Sequence, residues 1–163
     1  MKIIVTGTPG VGKTSVSKVL AKKLKLIYVN EKDFSLKHKV GKLDKKSKEV
    51  LVEPKKLEKS LNNWLLGQES VLVEGHILCE LRLKVDFVVL LTAKPAVIEK
   101  RLEKKGFSQE KVLDNVFCEE IGFCKRFVYK NYVKNKVIEV KSEQSIKSIS
   151  NYIVSKVRAK SRT

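Results

Sequence analysis

Gly7-Thr8-Pro9-Gly10-Val11-Gly12-Lys13-Thr14 is the stretch that decides the fold. It fits the pattern G-x-x-x-x-G-K-[ST], and its flanks fit as well as its letters. Lys2-Ile3-Ile4-Val5 before it reads as a short buried strand, and Val16, Val19, Leu20 and Leu24 after it recur at helical spacing. Strand, glycine-rich turn and helix in that order are the setting of a phosphate-binding loop. The glycines let the backbone curl until several N–H groups point at one anion. The helix N-terminus adds unpaired donors and partial positive charge. Lys13 supplies a mobile cation for the outer phosphates, and the Thr14 hydroxyl is a ligand for Mg²⁺. The pattern predicts a site for a nucleoside triphosphate.

Working outward, Leu26-Ile27-Tyr28-Val29 reads as a second strand, followed by a segment from Asn30 to Glu53 that loses apolar periodicity and carries seven lysines. Pro54 suits the first turn of a helix striped by Leu57, Leu61, Trp64 and Leu65 and ended by Gly67. Val71-Leu72-Val73 is a third strand, running into Glu74-Gly75-His76. Asp86 to Leu91 is a fourth, followed by Pro95 and a helix through Ile98 and Leu102. Gly106 breaks that helix and Ser108 caps the next, in which Leu113, Phe117, Ile121, Cys124 and Val128 are expected to share one apolar face, interrupted by Gly122. Val137 to Val140 is a fifth strand, and Ile146, Ile149, Ile153 and Val157 stripe the last helix. The chain from Lys156 on carries four basic residues and no acid, and its end, residues 158–163, is expected to be a frayed basic tail. Strands alternating with helices predict an α/β fold: three α/β/α layers around a five-stranded parallel sheet. Ligands in such folds sit beyond the carboxyl ends of the strands.

The composition bounds the rest. The 163 residues, 42% of them hydrophobic, suit a single compact domain with no repeat and no second domain. No apolar run approaches the roughly 20 residues of a membrane span, and the first strand starts at once, so a soluble cytoplasmic protein without a signal peptide is expected. Cys79, Cys118 and Cys124 lack metal-ligand spacing and read as reduced, mostly buried thiols. The net charge of +17 is attractive to polyanions, and all but five of the 35 basic residues are lysine, which suits phosphate backbones better than base reading. A nucleic-acid or ribonucleoprotein partner and a merely solvated basic surface both remain open.

Three further groups carry candidate chemistry. Glu74 ends a buried strand, where phosphate-loop enzymes keep the acid that holds Mg²⁺ directly or through water. His76 can orient a water at the γ-phosphate or take a proton from one. Lys100, Arg101, Lys104 and Lys105 precede Gly106 as a candidate lid over residues 104–114; Arg101 stands out because a guanidinium both stacks on a base and forks to phosphate. The Asn30–Glu53 segment, residues 30–53, lies where such kinases insert an acceptor-binding flap. Its Lys37, Lys39, Lys42, Lys45, Lys46 and Lys48 are open to an acceptor phosphate, to RNA or to water.

With these residues in hand the chain resembles the adenylate kinase isoenzyme 6 type family, which has an archaeal and a eukaryotic nuclear branch. The likeness runs through essentially the whole chain: the phosphate loop, Val73-Glu74-Gly75-His76, Tyr28-Val29-Asn30 with Asp33, and Arg101-Leu102-Glu103-Lys104-Lys105-Gly106-Phe107 followed by Asp114-Asn115 and Cys118-Glu119. The resemblance implies a nucleoside-monophosphate kinase fold with a short lid, the reaction ATP + AMP ⇌ 2 ADP with Mg²⁺, and an ATPase activity. It also implies a part in maturing the small ribosomal subunit and its 16S-type rRNA, with a platform ribosomal protein or a pre-ribosomal particle as partner. By position, Gly10, Val11, Gly12, Lys13, Thr14 and Ser15 would bind ATP phosphates, Glu74 and His76 would serve magnesium and catalysis, and Lys105 would be the lid contact. The chain departs from the family pattern in having Glu74 for an Asp, Lys105 for an Arg, Leu36 for an Arg toward the acceptor phosphate, and Lys32 for a Gly. These changes weaken the AMP side more than the ATP side and predict weaker use of AMP than hydrolysis of ATP. The competing expectations are an assembly ATPase with little AMP kinase activity and a kinase of another small metabolite.

Overall fold

The computed structural model describes residues 1–45 and 49–161. Lys46 and Lys48 of the flap and the last two residues of the basic tail lie outside the described residues. Along the chain run β1 (Lys2–Thr6), α1 (Lys13–Leu24), β2 (Ile27–Asn30), α2 (Glu31–Lys37), β3 (Gly41–Leu43), β4 (Val50–Val52), α3 (Pro54–Leu66), β5 (Val71–Glu74), β6 (Phe87–Thr92), α4 (Pro95–Lys104), α5 (Gln109–Glu120), α6 (Phe123–Asn131), β7 (Val137–Lys141) and α7 (Ile146–Lys160). A 3₁₀ turn, Ile77–Glu80, follows β5. β1, β2, β5, β6 and β7 form one parallel sheet in the order β2-β5-β1-β6-β7. β3 and β4 form a separate antiparallel hairpin.

Alternation along the strands divides the core in two. Ile3, Val5, Leu72, Val89 and Leu91 point to the face covered by α1, α4, α5 and α7, where Val16, Leu20, Ile98, Leu102, Ile149, Ile153 and Val157 meet them. Ile4, Val71, Val73, Val88 and Leu90 point to the face covered by α3, α6 and the 3₁₀ turn, against Leu57, Leu61, Leu65 and Val128. Strands buried on both faces read as continuous apolar runs, which is why β1, β5 and β6 were legible in the sequence. The three-layer α/β/α architecture is the one the strand-helix alternation predicts.

The register sets the site. Val5 and Asn30 both pair with Glu74, so β1, β2 and β5 end at one level and their following turns open on one crevice. Gly7 passes directly over the end of β6. A Cβ there would lie 2.2 Å from the Leu91 carbonyl oxygen, so only glycine lets the loop leave β1 along this path.

Two expectations are corrected. Leu113, Phe117 and Ile121 do not share a buried face with Cys124 and Val128: the first three are 56%, 60% and 42% exposed, and Val112 is the buried residue of α5. Gly122 takes φ +63 and starts a new helix, so the spacing does not carry across it. Residues 158–160 are not frayed, because α7 runs to Lys160. The Asn30–Glu53 segment, without apolar periodicity in the sequence, holds α2, capped by the Asn30 side chain, and the β3–β4 hairpin.

Cys79 and Cys124 are buried free thiols and Cys118 is half-buried, as the sequence indicated. No helix of the described residues is long and apolar enough to cross a membrane.

Replacing Leu90, fully buried in the central sheet, with alanine is expected to destabilise the chain by about 3 kcal/mol in urea denaturation. Leu113→Ala on the exposed face of α5 should stay within about 0.5 kcal/mol. Equal losses for the two would reinstate the single-face reading of α5.

Candidate active site

The phosphate loop joins β1 to α1 in a tight arc. Gly10 and Gly12 take φ +95 and +92, and Gly12 stands at the N-terminus of α1 without a side-chain cap, so the first amides of the helix face outward. Thr14 and Ser15 are exposed there. Lys13 folds back over its own loop, its Nζ donating to the carbonyl oxygens of Gly7 at 2.8 Å and Thr8 at 3.1 Å. Burial lowers the Lys13 pKa to about 8 against the opposing pull of Cys124 and Glu74. An anion arriving at the loop restores the compensation that burial removes.

Glu74 is the centre of the site. It is 2% exposed, and its Oε1 accepts three hydrogen bonds: from Thr14 Oγ1 at 2.8 Å, Tyr28 OH at 2.8 Å and Asn30 Nδ2 at 2.7 Å. One carboxylate thereby ties α1, β2 and β5 together. Burial, then the bond to Glu74, pushes the Tyr28 phenol up, so Tyr28 stays a donor at neutral pH. Asn30 works twice, since its Oδ1 also accepts from the Lys32 and Asp33 amides at the start of α2.

The nucleotide side is braced from behind. Arg101, on α4, is half-buried and donates from Nη1 to the Gly10 carbonyl and the Ser142 hydroxyl, both at 3.2 Å, and from Nη2 to the Ser142 carbonyl at 2.8 Å. It holds the loop against the turn that follows β7 instead of reaching freely over the crevice. Lys105 ends α4 in the open and lies close enough to Lys13 to lower its pKa. The candidate lid is short: only residues 105–108 separate α4 from α5. Glu119, unnoticed in the sequence as a functional residue, accepts from Thr8 Oγ1 at 2.5 Å and from the Ala93 amide at 2.9 Å. It pins α5 to the phosphate loop and to the end of β6.

Across the crevice, His76 is exposed at the turn after β5. Partial shielding of the ring from water, with Lys13 and then Lys32 nearby, lowers its imidazole pKa to about 4, so the ring is neutral at pH 7. Thr6 Oγ1 donates to its carbonyl oxygen at 3.2 Å. Lys111 on α5 reaches over to Glu49 before β4, with Nζ 2.7 Å from Oε1, linking α5 to the 30–53 segment. Leu36 is 42% exposed on α2 and offers no cation. Glu31, the first residue of α2, is 2% exposed beside Gly75. The sequence marked Asn30 and Asp33 in this segment and passed over Glu31, whose burial depends on α2 folding back against the β5 turn.

The structure thus gathers Lys13, Thr14, Glu74 and His76 at the ends of β1 and β5, and places Arg101 and Ser142 behind the loop. Thr14 and Glu74 are hard oxygen donors already in contact, the donor type a magnesium ion takes. Among the described residues no cluster of three or more His, Cys, Asp or Glu forms a complete metal cage.

The family described as an AAA domain matches residues 3–122. A Thermococcus kodakarensis protein named "Putative adenylate kinase" is 40% identical over 119 residues, covering 73% of this chain and 64% of its own length, so the match spans less than two thirds of that relative. A protein of the same name from Methanocaldococcus jannaschii is 31% identical over 156 residues, 93% of this chain and 87% of its own length. Among solved structures, shikimate kinase from Aquifex aeolicus superposes with a TM-score of 0.66 at 16% identity, over 99% of this chain and 98% of that one. Deoxyadenosine kinase from M. mycoides with bound dATP gives 0.61 at 16% identity, over 97% of this chain and all of that one. At such identity these likenesses show the fold alone, that of the phosphate-loop kinases. The alignment with the Methanocaldococcus protein, running through nearly the whole chain over a site of this construction, makes the chain a member of the archaeal family that bears the adenylate kinase name.

Proposed function

We propose that the chain is a phosphotransferase that uses ATP with Mg²⁺, hydrolysing it and passing its γ-phosphoryl group to AMP in the reaction ATP + AMP ⇌ 2 ADP. The observation that carries this reading is the contact of Thr14 with the buried Glu74 at the mouth of the phosphate loop. The loop amides and the N-terminus of α1 bind the phosphates, and Lys13 leaves the Gly7 and Thr8 carbonyls to neutralise developing charge. Thr14 directly, and Glu74 directly or through water, would hold the Mg²⁺, which would supply positive charge to offset that of the phosphates. Tyr28 and Asn30 keep the Glu74 carboxylate aimed at Thr14. His76, neutral at pH 7, is an acceptor for a proton from a water in the crevice. Arg101 fixes the loop, and Lys105 closes from the lid.

The family resemblance extends this to a part in small-subunit assembly and rRNA maturation, in the cytoplasm, with a ribosomal protein or rRNA as partner. The net charge of +17 supports a polyanionic partner, whose affinity would fall with salt. ADP formation from ATP with and without AMP, repeated with added rRNA or ribosomal protein, tests the two parts separately. A large AMP-dependent rate favours the kinase. An AMP-independent rate raised by RNA or ribosomal protein favours the assembly ATPase.

Lys13→Ala is expected to weaken ATP binding by about 100-fold in calorimetric titration; binding within a few-fold of the parent would sink the central reading. Glu74→Gln keeps an oxygen for Tyr28 and Asn30 but loses the charge. It should lower turnover by roughly 100-fold while ATP affinity stays within a few-fold.

A further inference from the structure

Two of the three cysteines make a contact that the phosphotransfer reading leaves without a role. Cys79, in the 3₁₀ turn after β5, and Cys124, in the first turn of α6, stand 45 positions apart in the chain. Their sulfurs are 3.2 Å apart, with the Cys79 thiol donating to Cys124 Sγ. Both thiols are free, and the residues are 1% and 7% exposed. A disulfide bond is about 2.05 Å long, so a further approach of about 1 Å closes the pair.

The two thiols are not equivalent. Cys124 lines a cavity of about 470 Å³ between the end of β6 and the α5–α6 joint, walled also by Ala93, Glu119, Gly122 and Lys125. Cys79 is not part of that wall. The hydrogen bond from Cys79, and then Lys13 and Thr8, hold the Cys124 thiol down against its burial. The same hydrogen bond, and then burial, push Cys79 up. Cys124 is therefore the thiolate that a small oxidant meets, and Cys79 the thiol that resolves it. Cysteines that only fill space need neither a neighbouring sulfur nor an opening.

We propose that Cys79 and Cys124 are a peroxide-sensitive dithiol whose closure to a disulfide switches off the phosphate loop beside it. The Cys124 thiolate attacks one oxygen of hydrogen peroxide. The O–O bond breaks, and the other oxygen leaves as hydroxide, which takes up the proton Cys124 had released. Cys79 then attacks the sulfenic sulfur of Cys124, the S–O bond breaks, and the Cys79 proton leaves with that oxygen as a second water. Two thiols are oxidised by two electrons, and one peroxide becomes two waters. Thr8 carries the event to the nucleotide site. Its hydroxyl lies 4.0 Å from Cys124 Sγ and donates to Glu119 at 2.5 Å, and its carbonyl accepts from Lys13. Closing the pair moves the start of α6 or the turn that also bears His76, and a misplacement of about 1 Å can cost about 100-fold in rate. The bridge stands on the thiols alone; the loss of turnover rests on the ATP-phosphotransferase reading.

The reduced full chain is treated with hydrogen peroxide, and its free thiols are counted by mass spectrometry after alkylation in denaturant. The count is expected to fall from three to one, with Cys79 and Cys124 in one disulfide-linked peptide pair, and to return with dithiothreitol. ATP hydrolysis should fall about tenfold or more on oxidation and recover on reduction. Cys118→Ser should keep this response. Cys79→Ala should leave Cys124 as a sulfenic acid that dimedone traps, and Cys124→Ala should make turnover indifferent to peroxide. Absence of a Cys79–Cys124 bridge, bridging through Cys118 instead, or equal turnover with the pair open and closed overturns the proposal. Failure of the reduced chain to bind ATP would overturn the phosphotransferase reading and the switching with it, while the thiol count still decides the bridge.

Discussion

A single buried carboxylate oxygen, Glu74 Oε1, accepts hydrogen bonds from the first helix, the edge strand and the residue that starts the flap helix. A carboxylate taken out of water is costly unless its oxygens are paired, and here the pairing draws three chain segments to one point. The parallel register of β1, β2 and β5 brings those segments level, and Glu74 fixes them there. The phosphate loop starts from this level, as do the acceptor flap and the turn bearing His76. Removing the carboxylate would loosen all of them together.

The two sides of the crevice are built differently. On the nucleotide side, backbone amides, Lys13 and the Arg101–Ser142 brace give a rigid, positively polarised cradle. Glu119 holds α5 to that cradle through Thr8, so the lid helix cannot shift without disturbing the loop. On the acceptor side the charges are mixed: Glu31 is buried, Glu49 is paired with Lys111, and Lys32 and His76 are exposed. The phosphate loop keeps its full pattern, whereas Leu36 and Lys32 stand on the other side of the crevice where the resemblance leads one to expect Arg and Gly. Membership in a family fixes the first more firmly than the second.

Much of this was legible in the chain. A phosphate loop is a local motif: its glycines, its lysine and its helix start lie within eight residues, so spacing suffices to read it. Buried parallel strands are apolar throughout, and β1, β5 and β6 announced themselves for that reason. The α5–α6 region misled because Leu113, Phe117 and Ile121 keep helical period on a face that nothing covers. Periodicity reports that a helix has an apolar stripe, not which way the stripe points once a left-handed Gly122 turns the chain.

Sequence alone determined the nucleotide half of the molecule: the α/β class, the loop, Lys13, Thr14 and the acid at the end of β5. Those features depend on neighbours in the chain, where a few residues' spacing fixes geometry. Tertiary structure alone decided which distant groups meet: Tyr28 and Asn30 on Glu74, Arg101 on Ser142, Glu119 on Thr8, and Glu31 in the space left by Gly75. Those pairings join residues up to 111 positions apart and arise only when the sheet closes and both faces are packed. No local pattern encodes them, because each partner's burial is set by an element the other does not belong to.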